Sequence, residues 1–154
     1  VIVWQDGVCP ADASGDIKAF TVSGAGTITL DTAATTGIVG LSYTSQWESA
    51  KLGVQQSLAE TLLGQHKKIG HVGLIAAYLH PKGLRFGPDF TNLDDLPMIE
   101  HGTTISADTI RTSYDDQEYV FPGGWDPDMR LCLQGEAPRP VTVLAIVLDL
   151  EIST

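Results

Sequence analysis

Residues 69–79, IGHVGLIAAYL, constrain this chain more than any other stretch. They are almost wholly apolar yet contain two glycines, Gly70 and Gly73. Each glycine weakens a helix by about 1 kcal/mol relative to alanine. An apolar run of this length and composition is better satisfied as a strand buried on both faces. A second run, VLAIVL at 143–148, sits inside a similar segment, 141–152. Both runs fall short of the ~18 consecutive apolar residues that a membrane-crossing helix requires, so no membrane span is expected.

The remaining segments carry strand signals as well. Residues 20–22 (FTV) and 27–30 (TITL) alternate apolar with polar and are joined by Ser23-Gly24-Ala25-Gly26, which predicts a β-hairpin. Residues 38–41 lead into 43–47, where Leu41, Tyr43 and Trp47 share a period of two. Leu84-Arg85-Phe86 forms a return strand after the turn His80-Pro81-Lys82-Gly83, and 129–134 supplies a further strand before 141–152. Helix competes only at 55–65, QQSLAETLLGQ, where Leu58, Leu62 and Leu63 recur and Gly64 offers a stop. That segment is short, and either a turn of helix or an ordered loop fits it. Residues 88–116, rich in Asp, Asn, Pro, Thr and Gly, read as a long surface excursion and a site of subunit contact. The chain begins at Val1 without Met and goes straight into a strand, as a piece cut or processed from a longer protein would. The expectation is a single mainly β domain over 1–154, an antiparallel sandwich or distorted barrel with one long irregular loop insertion.

Charge and motif content narrow the chemistry. Nine Lys and Arg against 19 Asp and Glu give a net charge of −10. Such a surface repels phosphate backbones, so tight nucleic-acid binding is not expected, although DNA can pass close by. Cys9 and Cys132 lie far apart and outside any C-x-x-C spacing, and are expected as buried thiols. His66, His71, His80 and His101 lack zinc spacing, and no EF-hand loop, nucleophile elbow or Walker loop occurs. No catalytic residue, cofactor or metal site is therefore expected. The carboxylate groups Asp94-Asp95, Asp115-Asp116-Glu118 and Asp126-Asp128 read first as solvated turns. The one stretch with two readings is 120–133, VFPGGWDPDMRLCL. As a binding loop it presents Trp125 beside Asp126 and Asp128, with Trp47 and Tyr119 as further aromatic faces on which a sugar ring can stack. As scaffold, Pro122 and Gly123-Gly124 end a strand, Asp126-Pro127-Asp128 turns the chain, and Trp125 covers the edge of the core.

Three stretches together carry a family resemblance. They are GIVGLSYTSQWESAKL (37–52), KKIGHVGLIAAYLHPKGLRFG (67–87), and 120–147 with FPGGWDPD-x-R followed by PRP-x-TVLAIV. In this order they resemble the C-terminal part of the tail nozzle protein of short-tailed bacteriophages, the tail tubular protein B family. The resemblance implies a non-enzymatic virion protein, a β-rich subunit of a hexameric ring made with other copies of itself. Genome DNA would leave through the lumen without specific binding, and an adaptor, fibres or spikes would attach nearby. Members of that family are several times longer than this chain. The alternative expectation, from the aromatic and acidic residues of 120–133, is a carbohydrate- or receptor-binding module of a tail adaptor.

Overall fold

The computed structural model describes residues 1–53, 55–57, 60–61, 63–97, 99–100, 102–106, 109–115 and 117–153. Their regular elements are all strands. In chain order these are β1 (Ile2–Gln5), β2 (Gly37–Gly40), β3 (Thr44–Glu48), β4 (Gln55–Ser57), β5 (Glu60–Thr61), β6 (Lys67–Ala77) and β7 (Leu84–Asp89). They continue with β8 (Asn92–Asp95), β9 (Ile99–Glu100), β10 (Thr103–Thr104), β11 (Glu118–Val120), β12 (Cys132–Glu136) and β13 (Thr142–Ile152). Every ladder is antiparallel.

Two sheets form the body. One has the order β11-β6-β13 and the other β3-β12-β7-β8. Their inner faces share one core. Ile69, Val72, Leu74 and Ala76 come from β6, Leu84 and Phe86 from β7, and Tyr119 from β11. Phe121, Met129, Leu131 and Leu133 close it. The ring centroids of Phe86 lie 5.8 Å from Tyr119 and 6.4 Å from Phe121, which locks the two sheets together through aromatic contact. The mainly β, sandwich-like class expected from the pattern is the observed one.

The apolar run in β6 is buried on one face, not two. Its burial follows Lys67, Ile69, Val72, Leu74 and Ala76, while His71 and Ile75 face outward and are exposed. The three-stranded sheet has no layer of described residues over its outer face. The inward phase changes between Ile69 and Val72 because Gly70 is skipped by the β13 register, with Ile69 opposite Leu150 and His71 opposite Asp149. A second irregularity in the same ladder falls on β13: Val143 pairs Ala76 and Ala145 pairs Ile75, leaving Leu144 as the extra residue. Bulges of this kind re-aim side chains.

Elsewhere the expected hairpin at 20–30 shrinks to a single bridge, Val22 with Ile28, closed by Ser23 and by Gly26 at a φ of 75°. Segment 55–65 carries the strand pair β4-β5 where a turn of helix was one of two expectations; Leu58 and Leu62 lie outside the described residues. The excursion 88–116 is less irregular than expected, because β8 joins the second sheet and β9 pairs β10. Cys9 and Cys132 are both buried and not joined by a disulfide. No helix among the described residues is long and apolar enough to cross a membrane.

The β7-β8 turn shows how acidic residues serve this fold. Gly87 admits the close return of the chain, since a Cβ there would collide with the Asn92 carbonyl oxygen. Asp89 accepts hydrogen bonds from the backbone N–H groups of Thr91 (2.7 Å) and Asn92 (2.9 Å), and from both of their side chains. These donors, the Thr91 and Asn92 side chains foremost, hold its pKa down to about 2. The carboxylate therefore stabilises the fold above its unfolded pKa near 3.9, and the contribution is lost as pH falls through about 2. Asp89→Asn should lower the melting temperature at neutral pH, with the difference from wild type closing in thermal melts as pH drops to about 2.

Candidate functional site

Loop 120–133 is built as a turn. Phe121 N–H donates to the Gly70 carbonyl at 3.1 Å, and its ring lies in the core. Further on, Lys67 and Asp126 exchange both backbone hydrogen bonds, at 3.0 and 2.8 Å, so the loop is bonded to the start of β6. The Lys67 side chain completes the joint. It is fully buried, and its Nζ donates to the carbonyl oxygens of Gln65 (2.8 Å), Leu63 (3.0 Å) and Pro127 (3.3 Å). Burial pushes its pKa below the ordinary lysine value, with Lys51 adding to the effect and Asp128 and Asp126 opposing it. Three carbonyl partners nevertheless satisfy all three donors of an ammonium group.

The acids of the loop are committed to the turn. Asp126 Oδ1 accepts the backbone N–H of Asp128 at 2.6 Å. Asp128 pairs with Arg130 at 3.4 Å, and Arg130 reaches Glu48 on β3 at 3.5 Å. Such exposed pairs stabilise little. Trp125 does not cover the core edge as expected: it is 49% exposed, while Phe121 and Met129 on either side of it are buried.

The other two aromatics differ from each other in burial. Tyr119 is 5% exposed and stacks on Tyr114 at 6.3 Å, so it offers no face to a sugar ring. Its place on β11 pairs it with Val72, and that register turns the ring inward. Trp47 is half exposed on β3, opposite Leu133 of β12. Of Trp125, Asp126, Asp128, Trp47 and Tyr119, Tyr119 is therefore withdrawn into the core, while the two tryptophans stay half exposed.

The histidines occupy different settings. His66 is exposed, His71 faces Asp149 at 3.7 Å, and buried His80 accepts the Lys82 backbone N–H through Nδ1 at 3.1 Å. His101 and Asp116 lie outside the described residues. Among the described residues, no three His, Cys, Asp or Glu side chains gather to hold a metal ion.

What the fold does bring together is apolar. β3 and β13 are the terminal strands of their sheets and lie on the same side of the sandwich. Between them runs a groove of about 460 Å³, walled by Trp47 of β3 and by Val143, Leu144 and Ile146 of β13, with Leu84 and Leu133 of the core at its floor. A second groove of about 450 Å³ adjoins it, sharing Ser45, Gly135 and Val141, and is lined by Trp4, Ile38, Leu41 and Tyr43. The charged residues lining the two are Glu136 and Arg139, one of each sign. Motif searching passes over this surface because it contains no chemistry-bearing pattern. Its visible signal is the absence of charge: residues 37–47 and 140–148 contain no Asp, Glu, Lys or Arg.

Two substitutions separate the loop's parts. Lys67→Met should cost about 2 kcal/mol or more in chemical denaturation, because three carbonyl oxygens lose their donor. Trp125→Ala should cost about 1 kcal/mol or less, against roughly 3–5 kcal/mol for Tyr119→Ala in the core. No protein-family model and no curated protein matches the chain, so the nozzle resemblance rests on its three motif stretches.

Proposed function

We propose that this chain is a structural part of a virion, a domain of the tail nozzle through which a short-tailed phage ejects its genome. The observation that carries the reading is the long apolar surface beside β3 and β13, lined by one residue of each charge, on a chain of net charge −10. A surface of that kind supports a role in assembly. The polar groups of loop 120–133 help hold the fold, as the parts of a scaffold do. The partners in this reading are other copies in a ring, hexameric by the resemblance, with an adaptor and fibres or spikes alongside. The acidic surface supports a conduit role, since carboxylates facing a lumen let a duplex slide without adhering.

Negative-stain electron microscopy and light scattering of the full-length protein should show closed rings, and a strictly monomeric protein at all concentrations contradicts the reading. Duplex DNA should show no mobility shift with the protein even at low salt, where electrostatic binding is strongest.

A second reading has one observation in its favour. Trp47 and Trp125 are each about half exposed, as sugar-stacking residues are. Under that reading the chain is a carbohydrate- or receptor-binding module of the tail, and glycan-array binding would be abolished by Trp125→Ala or Trp47→Ala without loss of stability.

A further inference from the structure

We infer that the open groove between β3 and β13 is the face on which a second copy of this chain docks; the inference rests on the assembly role proposed above and assigns it a surface. Three observations converge on that occupant.

The first is the state of the two edges. β3 and β13 each pair on one side only, with β12 and β6 respectively, so their outer edges present unpaired main-chain groups among the described residues. Natural proteins guard such edges with charge. Here β3 carries a single charged residue, Glu48 at its end, and residues 142–148 of β13 carry none. Charge returns only in the far half of β13, at Asp149 and Glu151. The bulge at Leu144 does not shield the edge, because it sets an apolar side chain, 64% exposed, in the groove wall.

The second is exposure. Ile38, Leu41, Tyr43, Trp47 and Leu144 all line the two grooves and are all half or more exposed. Singly exposed apolar residues are ordinary on any surface, whereas large ones gathered along one strip mark an interaction surface.

The third is charge. Two copies of a −10 chain repel each other wherever acidic faces meet. The grooves, with Glu136 and Arg139 balancing, let a second copy approach without setting carboxylate against carboxylate.

The test is self-association of the full chain, measured by sedimentation equilibrium for wild type, Leu144→Lys, Tyr43→Lys and Val120→Lys. Leu144 and Tyr43 line the grooves, whereas Val120, 73% exposed, lines neither, so each lysine can remain solvated in a folded monomer. Wild type should associate. Leu144→Lys or Tyr43→Lys should weaken association about a hundredfold, the consequence of burying an unpaired charge, and Val120→Lys should not. Amide exchange of the wild type supplies a readout independent of any variant, with protection of 44–47 and 142–146 rising with protein concentration. A monomer at every concentration, association indifferent to both groove lysines, or exchange in these strands independent of concentration overturns the inference. Rings in micrographs that survive Leu144→Lys would remove this surface and leave the nozzle reading standing. Discrete oligomers that Leu144→Lys dissolves but that never close into rings would keep the surface and remove the nozzle reading.

Discussion

The ladder between β6 and β13 is the interaction on which the rest of the molecule depends. It runs the full eleven residues of each strand and places β6 between two neighbours. Its two irregularities determine what each face carries. At Gly70 the skipped residue lets Ile69 and Val72 both point inward, which fills the core beside Phe121 and Leu131. At Leu144 the extra residue turns an apolar side chain to the outside, beside Trp47. Gly70 suits its position because a Cβ there would meet the Glu151 carboxylate at 2.9 Å. A core closed on one side and open on the other follows from this ladder.

Lys67 ties the beginning of that ladder to the loop that looked most like a binding site. A cation drawn wholly out of water is costly unless every donor finds an acceptor. Three backbone carbonyls from two separate loops provide the acceptors, so the lysine positions 63–65 and 126–127 together at the mouth of the core. Asp126, Asp128 and Arg130 then settle into turn and surface pairs, and Trp125 is left at the periphery. The loop is a joint in the scaffold.

Much of the fold was legible from residue patterns. The strands at 69–79, 84–86 and 141–152 announce themselves by apolar density, and their turns by Gly, Pro and Asp. Bulges were not legible, because one inserted residue shifts the phase of alternation without altering composition. β6 itself reads as buried on both faces because its outward positions Gly73, Ile75 and Ala77 are apolar too, although it is buried on one. Lys67 reads as a surface residue in any sequence, since its burial depends on carbonyls from loops distant in the chain. Tyr119 and Trp47 look alike as aromatic residues in strands, and only the register separates the core ring from the exposed one. The groove was legible only as two uncharged stretches about a hundred residues apart, which topology alone brings to one side.

Acidity and a sparsely charged open edge are what the proposed assembly role draws on. The most direct measurement is an electron cryomicroscopy reconstruction of the full-length protein in its assembled form. Trp47 and Leu144 should lie covered by a neighbouring copy along β3 and β13, with acidic side chains on the lumen wall. A reconstruction in which that groove faces solvent, and the copies meet elsewhere, would contradict the account.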